Sequence, residues 1–268
     1  MKQRKCVIRK IFASFLTVAM ITALAPAEVI PVSVLAAQES DVPSLLADFT
    51  FENEASVLTG GNAKAEVKGS YELRESKNAK NGKALYLNGD ASNYLAITKA
   101  DGGSLLAGCE EITVSFDAKP ERSSTSWIFY AAPDANTQQG EHEHYIGAFY
   151  NNGNLKAERY HNNGSRPAAL QYTAGERWRH IDLVFSRDAV TVYQDGVKKA
   201  SEKSAYALPD ILGNDGIFYI GRANWGDGEG FQGLIDNFRV YYGILSDAEI
   251  EKEYLNGIPE EEIFIPVS

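Results

Sequence analysis

The sequence predicts an all-β protein, a two-sheet antiparallel β-sandwich with one short C-terminal helix. Short runs in which apolar and polar residues alternate recur along most of the chain, and a period of two is typical of half-buried strands. Turn-forming pairs separate these runs, such as Asn152-Gly153, Asn163-Gly164 and Asp195-Gly196. The chain also contains 23 glycines and 14 tyrosines, a composition typical of a β protein with many tight turns. So many hairpins indicate a sandwich or a barrel.

The predicted strands follow one another at close spacing. In chain order they cover residues 46–51, 84–87, 94–97, 112–118, 126–131, 145–150, 155–161, 177–186, 189–194, 197–200, 217–220 and 233–241. Asp195-Gly196 is the strongest hairpin signal among the turns, because a type I′ turn needs two positive φ angles, which Asp and Gly adopt at little cost.

One segment near the C-terminus has the signals of a helix instead. Ser246 and Glu249 form the S-x-x-E pattern of a capping box, and Gly257 follows the last turn. We therefore predict a helix over residues 246–255, which braces the sandwich.

The first part of the chain has the composition of a secretory signal peptide. Residues 1–10 are basic, and residues 11–25 form an apolar run that is shorter than the roughly 20 residues of a membrane-spanning helix. Val34 and Ala36 suit cleavage before Ala37. We therefore assign residues 1–36 to a signal peptide, 37–44 to a linker, 45–257 to one β-sandwich domain and 258–268 to a C-terminal tail or linker.

Charge and cysteine content narrow the class of protein. The formal net charge is −10, which repels phosphate backbones and argues against nucleic acid as a partner. Cys6 leaves with the signal peptide, so Cys109 has no intrachain partner and no intrachain disulfide can form.

We expect a secreted, extracellular protein that is released or associated with the cell surface, without membrane insertion. The Lys-rich signal peptide favours a Gram-positive bacterial source.

Several blocks of the chain carry a family resemblance. They are Leu46-Ala-Asp-Phe-Thr-Phe-Glu52, Asn81-Gly-Lys-Ala-Leu-Tyr-Leu-Asn-Gly89, Glu176-Arg-Trp-Arg-His-Ile-Asp-Leu-Val-Phe185, Val192-Tyr-Gln-Asp-Gly196 and Phe231-Gln-Gly-Leu-Ile-Asp-Asn-Phe-Arg-Val-Tyr241. In this order they resemble the conserved blocks of laminin G-like domains, which are concanavalin A-like jelly rolls. The resemblance implies that fold. The family includes carbohydrate-binding modules of bacterial glycosidases, adhesins and protein-binding domains, so the fold alone does not select a function.

The resemblance also implies a structural calcium ion. Many members of the family bind one, and the matching positions here are Glu52, Asn62 and Asp236, whose oxygen atoms suit a hard cation. Asp236 shares a strand face with Phe238 and Val240, so its carboxylate points inward, where an unpaired charge is costly. The alternative is that Asp236 caps backbone amides and Glu52 is solvated. The loop at residues 58–63 is shorter than in the family. This difference argues against Asn62 as a ligand more than against the other two residues.

For a carbohydrate ligand, the best candidate is Trp225. A sugar presents C–H faces to aromatic rings and hydroxyl groups to polar side chains. Trp225 lies in a Gly-rich loop with Asn224, Asp227 and Arg222 as hydrogen-bonding neighbours. The alternative is that the indole folds back as a lid onto the edge of the sandwich.

Tyr160 is the second aromatic candidate. It alternates with Leu155 and Ala157, together with Lys156 and Glu158, so we expect its ring on a polar, solvent-facing side of its strand. By the same alternation, Trp127 shares a face with Phe129, which favours the core.

His142 and His144 are candidate polar contacts to a sugar, from a loop and the strand that follows it. Their H-x-H spacing also permits zinc binding if His161 lies on the neighbouring strand. The position of His142 after Gly140 in a loop argues against that geometry.

The residue pattern favours binding over catalysis. Glycosidases on sandwiches of this type place three acids on one strand as E-x-D-x-x-E, and the sequence lacks that pattern. We predict a non-catalytic carbohydrate-binding module, with a structural Ca²⁺ and a glycan of unknown type as its ligand. We expect it to be accessory to glycan degradation, fused to or associated with a glycosidase. The alternative functions are an adhesin or protein-interaction domain on the same fold and, third, a glycoside hydrolase.

Overall fold

The computed structural model describes residues 43–76, 82–136, 144–161, 170–171, 177–204, 206–226 and 228–257. All of them belong to one compact unit, Asp41–Ser268. The predicted signal peptide, nearly all of the linker and the C-terminal tail lie outside the described residues, as do His142, Asp227 and the Asn163-Gly164 pair.

The described chain is built from strands and three short helices, which confirms the predicted all-β sandwich. The strands are β1 (Ser44–Phe49), β2 (Thr59–Gly60), β3 (Ala63–Lys68), β4 (Glu72–Glu75), β5 (Lys83–Asn88), β6 (Tyr94–Lys99), β7 (Ile112–Pro120), β8 (Ser126–Ala132), β9 (His144–Asn151), β10 (Asn154–His161), β11 (Leu170–Gln171), β12 (Arg179–Phe185), β13 (Ala189–Gln194), β14 (Val197–Lys203), β15 (Ile217–Ile220) and β16 (Gln232–Tyr242). The helices are α1 (Glu54–Leu58), α2 (Leu208–Leu212) and α3 (Asp247–Gly257).

Two antiparallel sheets of eight strands each form the sandwich. Sheet A has the order β14-β13-β12-β7-β16-β5-β4, and β1 also pairs with β16. Sheet B has the order β11-β10-β9-β8-β15-β6-β3-β2. The inner faces meet in a core of buried aromatic rings, in which Phe129 stacks on Phe218 at 5.4 Å and Phe116 on Phe238 at 5.8 Å. Many neighbouring strands in both sheets are distant in sequence, so residues far apart along the chain lie side by side on each sheet.

The local signals for the turn and the helix are confirmed. Asp195 and Gly196 have φ angles of 53° and 74°, as a type I′ turn between β13 and β14 requires. The Ser246 hydroxyl accepts a hydrogen bond from the Glu249 backbone N–H at 3.3 Å, and the Glu249 carboxylate accepts one from the Ser246 N–H at 2.7 Å. This capping box starts α3.

Helix α3 covers a charged cluster on the outer face of sheet A. The His180 ring lies between two buried carboxylates, with Nδ1 at 2.8 Å from Asp117 and Nε2 at 3.2 Å from Asp182. Burial lowers the pKa of His180, but Asp182 and Asp117 outweigh it and raise the pKa to about 10. The protonated His180 side chain therefore forms a buried ion pair with these carboxylates within sheet A.

Strand β8 contains a bulge that changes the side on which Trp127 lies. The pairing of β8 with β9 shifts register between Trp127 and Phe129, so the two rings point to opposite faces. Phe129 is in the core, whereas Trp127 packs with Tyr130 and Tyr145 on the outer face of sheet B. The predicted core position of Trp127 was therefore wrong, because strict alternation does not hold across a bulge.

Gly147 provides the space in which the Trp127 ring lies. A Cβ atom at Gly147 would approach Cζ3 of Trp127 to 2.8 Å and the Phe129 carbonyl oxygen to 2.7 Å. We expect Gly147→Ala to lower the free energy of unfolding by about 1–3 kcal/mol through overpacking, as measured by urea unfolding. The matched control is Gly103→Ala, where the nearest atom is an Asp101 carboxylate oxygen at 3.2 Å that can move aside. Equal effects of the two substitutions would contradict the overpacking argument.

Candidate ligand-binding face

Sheet B carries a continuous patch of aromatic rings on its outer face. We call this patch the aromatic face; its members are Trp127, Tyr130, Tyr145, Phe149, Tyr160, Tyr219 and the loop residue Trp225. The side chains alternate with core residues along β8, β9, β10 and β15, so neighbouring strands place ring beside ring. The rings on the strands are buried, at most 9% exposed, whereas the loop residue Trp225 is half-buried. Trp225 therefore makes this face the candidate site.

Trp225 forms the outermost layer of the aromatic face. Its ring is parallel to that of Trp127, with centroids 5.3 Å apart and an interplanar angle of 7°. It also meets Tyr130 and Tyr145 edge-on at 5.5 and 5.0 Å. The indole is half-buried. The ring folds back onto the sheet, and part of it remains accessible to solvent. The role of Trp225 in sugar binding stays a prediction.

Hydrogen bonds hold the Trp225 loop at its base. The buried Asn224 carboxamide donates to the Asp134 carbonyl at 3.2 Å. Arg122 donates to the carbonyls of Gly228, at 3.0 Å, and of Gly230. Asn224 thus has a structural contact, and its predicted role as a sugar contact remains a prediction, as does that of Asp227.

A carboxylate from the same loop reaches the aromatic face. Trp127 Nε1 donates to Oε2 of Glu229 at 2.9 Å. Because the indole N–H of Trp127 is satisfied in this way, the ring can lie beneath Trp225 without a buried unpaired donor.

Tyr160 lies on the predicted side of its strand but is not solvent-facing. The ring is only 7% exposed and stacks on Tyr145, its cross-strand partner, at 5.3 Å. Tyr145 in turn donates its hydroxyl to Glu158 at 2.7 Å. The prediction of a polar, open surface at Tyr160 was wrong, because the facing strand supplies a large ring that covers it.

His144 lies at one end of this face. It pairs directly with His161 across β9 and β10, and the two ring centroids are 4.1 Å apart. His161 also stacks on Tyr206 at 4.1 Å. In the part of the chain that the structure describes, no group of three or more His, Cys, Asp or Glu residues is arranged to hold a metal ion. The structure therefore brings together two of the three histidines of the zinc hypothesis, while His142 is outside the described residues.

Arg222 lies over a pair of tyrosines. Its guanidinium is 4.7 Å from the ring centroid of Tyr94 and 5.8 Å from that of Tyr219. These two rings meet edge-on at 4.9 Å. Trp225 therefore packs on the aromatic face, and Arg222 places a positive charge over Tyr94 and Tyr219 on the same sheet.

The candidate calcium ligands divide into a close pair and a separate residue. Asp236 is 0% exposed, and burial together with the nearby charges of Asp117 and Glu52 raises its pKa to about 8. Its Oδ1 atom accepts the Asn237 N–H at 2.8 Å, whereas Oδ2 is buried without a hydrogen bond of normal geometry. Two carboxyl groups that share a buried region favour a bound cation or a retained proton.

Asn62 does not join this pair. Its carboxamide is exposed and reaches the Leu45 carbonyl at 3.5 Å, near the start of β1. Phe49, at the other end of β1, is paired with Phe238 beside Asp236. Four strand residues span about 13 Å, so the expectation that Asn62 ligates the same ion is not supported. The short β2–β3 hairpin holds it at the wrong end of the strand.

A family model identifies the superfamily of the chain. The model of the concanavalin A-like lectin/glucanases superfamily matches residues 88–251, more than half of the chain. The chain belongs to this superfamily. No protein in a search of curated proteins matches the chain. The superfamily assignment confirms the resemblance and the jelly-roll fold seen in the two sheets.

The protein is similar to several solved structures of binding domains. Domain 4 of AbnA, a GH43 extracellular arabinanase from Geobacillus stearothermophilus in complex with arabinotriose, is 23% identical, with a TM-score of 0.57 over 78% of this chain and 98% of that domain. The binding domain of Paraclostridial Mosquitocidal Protein 1 is 15% identical, with a TM-score of 0.57, and covers 79% of this chain and 52% of its own. The receptor-binding domain of a botulinum neurotoxin C/D mosaic serotype is 14% identical, with a TM-score of 0.55, over 80% and 51%.

At these sequence identities, the similarity to solved structures establishes only the fold of the protein. Among its described helices, none is long and apolar enough to cross a membrane.

Proposed function

We propose that the protein is a non-catalytic carbohydrate-binding module, and that the sugar stacks on Trp225 at the aromatic face. The observation that carries the proposal is the parallel stack of Trp225 on Trp127 with one part of the indole left accessible. A ring that is already held in place loses little conformational entropy on binding, which favours recognition of a flat C–H surface.

The setting of the ring supports a carbohydrate over a purely apolar ligand. Carboxylate and guanidinium groups border the aromatic face at Glu229 and Arg222. Sugar hydroxyls need such donors and acceptors beside an apolar surface. A broad exposed apolar patch without a pocket would instead favour a protein partner.

The similar arabinanase domain, which was solved with arabinotriose, supports a role accessory to glycan degradation in a secreted or surface-associated protein. The toxin binding domains support the second candidate, an adhesin or protein-interaction domain on the same fold. The glycan array described below separates the two, because an adhesin for protein would bind no glycan.

We also propose that Glu52 and Asp236 hold a structural Ca²⁺. Both are carboxylates, and the Ser76 hydroxyl acts on the Asp236 carboxyl, so the donor set consists of oxygen atoms. Glu52 also lines a groove of about 630 Å³ with Ser70 and Tyr71. The ion would neutralise a buried carboxylate and tie the end of β1 to β16.

A glycan array tests the function. The protein is applied with calcium and with chelator, beside Trp225→Ala and the matched control Trp178→Ala, whose ring packs on Tyr86 and Leu234 of sheet A. We expect reproducible binding that Trp225→Ala weakens by at least about thirtyfold, the effect of removing a binding hot spot of about 2 kcal/mol, and that Trp178→Ala retains. Binding that survives Trp225→Ala would overturn the site. No glycan binding under either condition would favour the protein-interaction candidate.

A further inference from the structure

A second concave region adjoins the aromatic face on sheet B. It is a groove of about 540 Å³ between β3, β6 and β15, and its lining includes Glu66, Lys68, Tyr94, Asp215 and Tyr219. Tyr219 also belongs to the aromatic face, so one ligand that lies along the sheet can contact both regions. The groove therefore extends the proposed binding surface and does not form a remote site.

Two cations meet at the tyrosine end of this groove. Lys68 lies in the groove lining, and Arg222 lies over the rings of Tyr94 and Tyr219. Burial raises the pKa of Tyr219, while the charges of Arg222 and Lys68 oppose that rise. Both positive charges therefore lie close to the Tyr219 hydroxyl. In a chain with a net charge of −10, these two cations balance the two acids of the groove, Glu66 and Asp215.

The two cations differ in how they are neutralised. Lys68 forms an ion pair with Glu66. Arg222 donates its Nε–H to the Ala223 carbonyl at 2.9 Å and, within the described part of the chain, forms no ion pair. By contrast, the guanidinium of Arg239 contacts both Asp48 and Glu253. Arg222 is thus a half-buried guanidinium, fixed on two rings, with its terminal amino groups directed to no carboxylate of the described residues.

We propose that this groove binds the carboxylate of an acidic sugar, so that the glycan taken by the domain carries uronate or a related carboxylate-bearing residue. The inference rests on the proposed carbohydrate-binding function and names the chemical class of its ligand. A guanidinium presents its terminal N–H groups as a planar fork that matches a carboxylate, and stacking on tyrosine pre-organises that fork.

The charges around the groove favour a monoanion over a dianion. Glu66 and Asp215 lie in the same lining and would repel the dianion of a phosphate monoester more strongly than a single carboxylate. The tyrosine hydroxyls of Tyr94 and Tyr219 supply donors and acceptors for the hydroxyl groups of the sugar. The groove thus discriminates by charge, while Trp225 supplies stacking.

Paired ligands test this inference. Oligosaccharides that carry uronate or sialate residues are each matched with the same oligosaccharide after chemical reduction of its carboxyl groups, and both are titrated into the full protein. We expect the acidic member of at least one pair to bind at least about tenfold more tightly, since a hydrogen bond to a charged group contributes roughly 1.5–3 kcal/mol. Its affinity should fall as salt is raised, and that of the reduced member should not.

Variants assign the effect to Arg222. Arg222→Gln should remove the preference for the acidic ligand, so that the acidic and the reduced member of a pair bind with the same affinity, whereas Arg222→Lys, which keeps the charge but not the fork, should retain part of the preference. The matched control is Arg187→Gln, because Arg187 pairs with Glu110 on an exposed surface outside the groove. Circular dichroism of each variant checks the fold.

The outcomes separate this inference from the proposed function. Equal affinity for acidic and reduced ligands would overturn the carboxylate assignment and leave carbohydrate binding in place. A preference for the acidic ligand that survives Arg222→Gln would also overturn it, by moving the anion elsewhere. Failure to bind any member of any pair would overturn the proposed function and this inference together.

Discussion

Removal of calcium is expected to destabilise the protein, and Asp236→Asn to abolish the response to calcium. A ligand that binds only the native state stabilises it by about 2.7 kcal/mol at one hundred times its Kd. The asparagine keeps the shape of Asp236 but withdraws one of the two carboxylates of the proposed site. Urea unfolding with 1 mM calcium (roughly) and with chelator, for both proteins, measures the difference.

The sign of the pH dependence follows from the same carboxyl group. In the metal-free protein the pKa of Asp236 is about 8, against about 3.9 in the unfolded chain. Below pH 4 (roughly) both states hold the proton, and the native state alone holds it at intermediate pH. The stability that Asp236 contributes is therefore present at low pH and is lost as the pH rises towards 8. Calcium, or Asp236→Asn, should flatten this decline.

Asp215→Asn is the control for this experiment, because Asp215 is an exposed acid whose loss should leave the calcium response intact. The proposed ion site would be refuted by one clear result: unfolding free energies of the unaltered protein that are the same with calcium and with chelator. A decline with pH that persists in Asp236→Asn would assign the titration to another group.

The sequence predicted the architecture because alternation and turn chemistry are local properties. Lys156, Glu158 and Tyr160 lie on the outer face of β10, as their spacing indicates, and the Asp195-Gly196 turn has the predicted backbone angles. The three-residue reach of the capping box also fixed the start of α3. The five-residue helices α1 and α2 were missed, since one turn and a half is too short to show a period of 3.6 residues.

The candidate site depends on pairing between distant strands, which a single sequence does not reveal. Tyr160 is covered because Tyr145 is its cross-strand partner, and no local pattern around Tyr160 specifies that partner. Trp127 joins the aromatic face because of a bulge, which interrupts the alternation on which its core prediction depended. Asn62 was expected beside Asp236 from the resemblance alone, and the hairpin that carries it holds it at the other end of β1.

Arg159 is a buried charged residue at the edge of the sandwich. Its position opposite in phase to Tyr160 turns it inward, and the side chain is 0% exposed. The guanidinium donates to four main-chain carbonyls, those of Ser186, Arg187, Ala189 and Tyr206. Ser186 and Arg187 belong to the connection between β12 and β13, and Ala189 begins β13. Arg159 therefore joins β10 of sheet B to this part of sheet A.

Arg159→Met is expected to lower the free energy of unfolding by about 3–5 kcal/mol, because the apolar side chain leaves several carbonyls without a donor, at roughly 1–3 kcal/mol for each buried one. Arg159→Lys should fall in between, since one ammonium cannot reach all four acceptors. Lys156→Met, on the outer side of the same strand, is the matched control and should change stability by less than about 0.5 kcal/mol. A loss below about 1 kcal/mol for Arg159→Met in urea unfolding would show that solvent readily replaces these bonds. The two sheets would then be joined at this edge by packing alone.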